Sequence, residues 1–269
     1  MKFLKTLASF LIFIIRYRHK INVNKKIKDI LLDDVYLLGS GPSMKGLKLS
    51  SLKNKNCIFL NSFYKHPDFL EISTSDIDNK YYVIAPIHPP QDELVWAKWL
   101  KEIEAMTPKN VVMILGLNYR STNIKNIVVK YKLFNKHKVF YYYAGNYSGL
   151  VTEKSINPTK NLLASETVSL YGIYLSIYMG CRKIKLLGMD HNYILYANTE
   201  DMRMYSNATH QDIEKTTVFS KENMTLEYLR QYKIFSKYQQ IENLFPGRVE
   251  NLTKGGLLHI FKRENFNEK

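Results

Sequence analysis

Cysteine is scarce in this chain. Cys57 and Cys181 are the only two among 269 residues, so no disulfide framework exists and a reducing, cytoplasmic setting is expected. No run of roughly 18–20 apolar residues occurs, which excludes a chain threaded repeatedly through a membrane. Internal repeats and low-complexity linkers are missing too. So are the Gly-x-Ser-x-Gly turn of a serine nucleophile, the Lys-Ser/Thr of a phosphate-binding P-loop, and any Cys/His spacing suited to zinc. Acidic residues are absent from positions 1–28, where Lys2, Lys5, Arg16, Arg18, Lys20, Lys25, Lys26 and Lys28 carry more than half of the chain's net charge of +15.

That basic stretch encloses Leu7-Ala-Ser-Phe-Leu-Ile-Phe-Ile-Ile15. A secretory signal needs a small-residue cleavage site after such a run, and Arg16-Tyr-Arg-His-Lys20 stands there instead. As a helix, Phe3 to Ile15 would span roughly 20 Å, short of the ~30 Å hydrocarbon core. Residues 1–28 therefore read as a basic amphipathic segment lying on an anionic membrane surface, with Tyr17 and the cations at headgroup level. The competing reading docks this helix on the body of the protein. Nucleic acid is not an expected partner, because the other Lys and Arg residues are scattered and no nucleic-acid-binding motif is visible.

With 45% hydrophobic residues, the chain has enough apolar material for one sizeable core, placed here in a single domain over residues 29–269. Apolar runs alternate with helical stretches. Strands are expected at 31–38, 57–60, 81–85, 110–115, 138–143 (before a Gly145-Asn146 turn) and 183–187, with a final edge strand at 248–252. Helices are expected at about 92–106, 165–180 and 225–242. This alternation predicts an α/β fold: a Rossmann-like, mostly parallel sheet with helices on both faces. Residues 191–222 are polar, rich in turn formers and without a clear period, as in an inserted lid.

Candidate chemistry gathers where strands end. Gly39-Ser40-Gly41-Pro42-Ser43 follows the first strand, where glycines let backbone approach a phosphate or simply turn the chain tightly. Asn61 ends the second strand and carries a paired donor and acceptor for a base or ribose. Ser165 begins a helix, either touching a ligand or capping the helix. Asp190-His191-Asn192-Tyr193 follows a later strand. His191 and His210 are the candidate proton carriers near neutral pH. Asp76-Ile-Asp78 has the DxD form of a metal-diphosphate site, but it follows Ser-Thr-Ser rather than a hydrophobic strand.

Taken in order, Val35-Tyr-Leu-Leu-Gly-Ser-Gly-Pro-Ser43 and Phe59-Leu-Asn-Ser-Phe-Tyr64 resemble the opening of the bacterial sialyltransferases of glycosyltransferase family 42. Ser165 with its small-residue helix and Gly180-Cys-Arg-Lys-Ile-Lys-Leu-Leu-Gly-Met-Asp190 resemble that family's later motifs. The tail also resembles a broader group of surface-polysaccharide proteins, through Asp190-His191, His210, Leu229-Arg-Gln-Tyr232 and Thr253-Lys-Gly-Gly-Leu257. The chain differs from the sialyltransferase pattern in having Ser40 for the loop Asn, the aromatic residue at Tyr193 rather than 192, and its own spacing in Tyr205-Ser-Asn-Ala-Thr-His210.

The resemblance implies a Rossmann-like, metal-independent enzyme without a cofactor. Such an enzyme moves sialic acid or another keto-acid sugar from a CMP-activated donor to a lipid-linked glycan of a surface polysaccharide or lipooligosaccharide. In its terms Gly39, Ser40, Gly41, Pro42, Ser43 and Asn61 hold phosphate and cytidine, and Ser165 touches the nucleotide. Asn192, Tyr193 and Tyr196 lie near the phosphate, Asp190 and His191 belong to the catalytic end, and His210 deprotonates the acceptor. The expected location is the cytoplasmic face of the plasma membrane, held peripherally. Two other classes remain open: a metal-dependent, ATP-using pyrophosphokinase-like enzyme, and a non-catalytic binding protein at the membrane surface.

Overall fold

The computed structural model describes residues 7, 11–74, 79–88, 91–120, 123–146, 149–195, 202–205 and 224–267. Its frame is a nine-stranded sheet in the order β6-β5-β4-β3-β2-β1-β7-β8-β9, with every pair parallel. The strands are β1 (Val35–Leu38), β2 (Asn56–Leu60), β3 (Lys80–Ile84), β4 (Val112–Leu117), β5 (Val139–Asn146), β6 (Asn161–Leu163), β7 (Ile184–Leu187), β8 (Val249–Asn251) and β9 (Lys262–Arg263). The helices are α1 (Arg18–Ile21), α2 (Phe69–Ser73), α3 (Glu93–Met106), α4 (Ile124–Lys130), α5 (Val168–Tyr178) and α6 (Met224–Leu244). The expected α/β, Rossmann-like architecture is present.

The sheet is buried on both faces, so its central strands β3 and β4 are continuously buried rather than alternating, and apolar apart from Lys80 at the start of β3. One face packs under α5 and α6, with Leu37, Ile58, Val83 and Ile114 against Ile173, Tyr174, Ile234 and Tyr238. The other packs under α2, α3 and α4, with Phe59, Tyr82 and Leu115 against Phe69, Trp99, Leu100 and Ile127. Chain direction explains the division. Strands β1 to β6 are laid down in one direction and β7 to β9 in the other, and right-handed crossovers running in opposite directions put their helices on opposite faces. The direction reverses between β1 and β7. In open α/β sheets, that switch is where a crevice forms beyond the carboxyl ends of the strands.

Several boundaries differ from the sequence reading. β1 starts at Val35 rather than at Leu31; Asp34, just before it, pairs its carboxylate with Arg182 at 3.0 Å and with Lys185 of β7 at 2.8 Å. The Gly145-Asn146 turn is instead the end of β5, which pairs with the three-residue β6. Strand β8 is not the edge, since β9 lies outside it. A two-residue strand such as Lys262–Arg263 has no period to read.

From residue 11 the N-terminal segment is docked on the sheet. A π-helical turn over Phe13–Tyr17 leads through α1 into a 3-10 stretch over Asn22–Ile27. Phe13, Tyr17, Ile21 and Ile27 are buried, and Phe13 and Tyr17 lie over Tyr143 at ring distances of 5.4 and 5.3 Å. Asn24 donates to the carbonyls of Tyr141 and Pro158, both at 2.8 Å. The outer side of the segment keeps Leu11, Ile14, Ile15 and Val23 exposed, together with all of its described Lys and Arg side chains. Among the described residues, no helix is long and apolar enough to cross a membrane.

Candidate functional site

The tips of β1 and β7 meet at the switch point. The amide of Gly39 donates to the Leu187 carbonyl at 2.8 Å, and that of Gly41 to the Gly188 carbonyl at 3.1 Å. The Asp190 carboxylate then accepts from the Ser43 amide at 3.1 Å and the Ser43 hydroxyl at 2.8 Å. This approach tolerates no side chain. A Cβ on Gly41 would stand 1.9 Å from Asp190 Oδ2, and one on Gly39 would stand 2.6 Å from the Gly188 carbonyl oxygen. Gly256, at φ +74°, passes as closely behind Asp190.

The glycine loop thus works differently from the sequence reading. The amides of Gly39, Gly41 and Ser43 are spent on the β7 tip, so the glycines serve strand-to-strand contact more than a phosphate cradle. Burial raises the Asp190 carboxyl above its usual range, against the opposing pull of the Ser43 bonds and Arg203. Asp190 is therefore a clamp on the loop as well as part of the cleft wall.

Beyond these tips opens a cleft with a cavity volume of about 590 Å³. It brings together Gly39, Ser40, Gly41, Asn61, Ser165, Asp190, His191 and Tyr193. Asn61 follows β2 directly in a left-handed conformation, φ 49°, which asparagine accepts more readily than most residues. Its carbonyl receives the Tyr82 hydroxyl. Ser165 does not begin the helix. Thr167 occupies the capping position of α5, and the Ser165 hydroxyl oxygen accepts from the Thr167 amide at 3.3 Å. Pro42, Ser43 and Asn192 stand beside the cleft without lining it. Tyr196, His210, the Asp76–Asp78 pair and most of the proposed lid, including residues 206–222, lie outside the described residues.

His191 is buried rather than set in a solvated loop. Its ring is packed against Phe235 and Tyr238, and its Nε2 shares a hydrogen bond of 2.8 Å with the Tyr238 hydroxyl. Burial, reinforced by Arg230 and Arg203, pulls its pKa down to about 3. An imidazole in that position stays neutral near pH 7. It suits hydrogen bonding, not the proton pick-up expected from sequence.

Positive charge around the cleft comes from Arg120, Arg203 and Arg230; none is a sequence-predicted site residue, and only Arg230 stands in one of the resemblance motifs, Leu229-Arg-Gln-Tyr232. Arg203 donates to the Tyr193 hydroxyl at 2.8 Å and lies over that ring, and the neighbouring Met204 amide donates to the Ser40 carbonyl at 3.1 Å. Residues 202–205 therefore strap the glycine loop. Arg230 is held by Glu227 and the Glu166 carbonyl. His88, Gln91, Trp96 and Arg120 line the part built beyond β3 and β4. Of these, His88 and Arg120 lie within four residues of the ends of β3 and β4, where the strand-tip rule that picks Asn61 also points, whereas Trp96 comes from α3. Among the described residues, no three His, Cys, Asp or Glu side chains gather as a metal site would need. No family model, curated protein or solved structure matches this chain.

Proposed function

We propose that this protein is a glycosyltransferase that takes a sugar from a CMP-activated donor, as the motif resemblance implies. One observation carries the reading: the tips of β1, β2 and β7 supply one cleft at the sheet's switch point, and three arginines surround it. A nucleotide-sugar offers what such a cleft would hold, namely a base and ribose for Asn61 and Ser165 and a phosphate for guanidinium groups.

In the proposed reaction, the sugar-to-phosphate oxygen bond breaks while an acceptor hydroxyl attacks the sugar. Charge then grows on the departing CMP phosphate, and Arg203, Arg230 and the Tyr193 hydroxyl are the groups available to stabilise it. The acceptor hydroxyl must lose its proton, and the proposed base is His210; Tyr205, five residues earlier in sequence, lines the cleft. A well-placed base contributes about 10²–10⁴-fold. The exposed Arg16, Arg18, Lys20, Lys25, Lys26 and Lys28, beside exposed Leu11, Ile14 and Ile15, support a peripheral membrane location facing a lipid-linked acceptor.

Calorimetry with CMP, CDP, UDP and ATP, each with and without EDTA, tests the nucleotide assignment. Preferred binding of CMP, indifferent to EDTA, is expected. Preference for ATP with a strict Mg²⁺ requirement would move the assignment to a pyrophosphokinase-like enzyme, and no nucleotide binding would leave a non-catalytic binding protein.

A further inference from the structure

Four polar side chains form a line from one point on the cleft wall to another. Thr167 Oγ1 lies 2.9 Å from Ser169 Oγ, Ser169 Oγ lies 2.5 Å from the Tyr238 hydroxyl, and that hydroxyl lies 2.8 Å from His191 Nε2. Ser169, Tyr238 and His191 are buried, and both ends of the line, Thr167 and His191, line the cleft. The other ring nitrogen, His191 Nδ1, is buried and has no partner among the described residues. An imidazole nitrogen buried without a partner costs free energy, so its retention beside a cavity points to a ligand group that satisfies it.

Each neutral hydroxyl brings one proton, and the neutral imidazole brings one more. Two arrangements then satisfy all three internal bonds. In one, Thr167 donates to Ser169, Ser169 to Tyr238 and Tyr238 to His191 Nε2; Nδ1 carries the ring proton and is left as a donor, while Thr167 is left as an acceptor. In the other, Nε2–H donates to Tyr238 and every bond reverses; Nδ1 is left as an acceptor, while Thr167 is left as a donor. The two ends are therefore complementary at all times. A change at one end is transmitted through Tyr238 to the other.

We propose that Thr167-Ser169-Tyr238-His191 is a reversible, uncharged hydrogen-bond relay whose two ends read hydroxyl groups on the sugar of the bound ligand. Hydroxyls fit because each can donate or accept, and so can match either direction of the relay. Anionic groups would go to the arginines instead. His191 is then a specificity-determining residue and Tyr238 a positioning residue. The naming of a sugar rests on the nucleotide-sugar reading; the relay itself does not.

The test compares the wild type with Tyr238→Phe, which breaks the line while keeping the buried ring, and with Thr167→Val. The Thr167 side chain makes no capping bond to α5, so its replacement spares the helix. Affinities for CMP and for CMP-sialic acid are measured by calorimetry, and the His191 ring nitrogens are followed by ¹⁵N NMR from pH 5 to 9. Wild type should prefer CMP-sialic acid to CMP. Each variant should lower that preference about tenfold, with CMP affinity changed less than twofold. The wild-type His191 ring should remain neutral throughout, with its tautomer balance shifted in Tyr238→Phe. An unchanged preference in both variants, a wild-type preference near one, or protonation of His191 in this range would overturn the proposal. Should CMP itself fail to bind, the nucleotide reading falls and the ring signals alone decide the relay: an unaltered tautomer balance in Tyr238→Phe would reject it.

Discussion

Gly41 shows how a single atom can set a site. Its missing Cβ leaves the space that Asp190 Oδ2 and the Gly188 carbonyl oxygen occupy. Gly41→Ala should cost about 1–3 kcal/mol of stability, read by urea unfolding, and should weaken CMP binding by displacing Asp190 from Ser43. His191 makes a second prediction at this scale. Its folded pKa of about 3 lies below the ordinary 6.5, so its contribution to stability is complete above pH 6.5 and is lost as pH falls towards 3. Between pH 7.5 and pH 4.5 the wild type should lose about 2–3 kcal/mol more than His191→Gln, because the unfolded imidazole binds a proton and the folded one does not. Equal losses in the two proteins would contradict the buried, neutral imidazole.

At the scale of elements, the sequence was readable where its period was long. Helix α3 opens at Asp92, whose carboxylate accepts from the Val95 amide at 2.9 Å, and buries Trp96, Trp99, Leu100 and Ile103 on one side. The sequence reading expects a helix at about 92–106, and it is there. Asp92→Ala should cost about 1 kcal/mol in thermal unfolding, the usual worth of such a cap. Strands β1, β2 and β7 were legible as apolar runs, and the tips bearing Gly39, Asn61 and Asp190 followed from them. What escaped reading was either short, as β6 and β9, or long-range. Nothing near His191 in sequence announces Tyr238, which arrives from α6 forty-seven residues later. Arg203 was equally hidden, and Arg230 stood out only within Leu229-Arg-Gln-Tyr232 with no role attached, because their placement depends on how the chain beyond β7 folds back.

The whole molecule joins a cleft at one end of its sheet to a basic outer surface along the N-terminal segment. Sequence alone weighed a surface-lying helix against a docked one, and from residue 11 one side of the segment is docked. Deleting residues 1–28 would therefore remove Phe13, Tyr17, Ile21 and Ile27 from the core and confound a membrane test. Reversing the charge of exposed residues is cleaner. Lys20 and Lys125 already crowd each other, which lowers Lys125 to about 8, so this surface gains from an anionic partner. Arg16→Glu with Arg18→Glu and Lys20→Glu should abolish flotation with anionic vesicles at moderate salt while leaving the unfolding midpoint nearly unchanged. Flotation equal to wild type would contradict a membrane role for this face.

Titration of the labelled protein with CMP, followed through its backbone amide resonances, tests the shared cleft most directly. The account predicts saturable shifts that appear together at Gly39–Gly41, Asn61 and Gly188–His191, three segments far apart in sequence and joined only at the strand tips. Shifts confined to one of these segments, or none at all up to millimolar CMP, would contradict it.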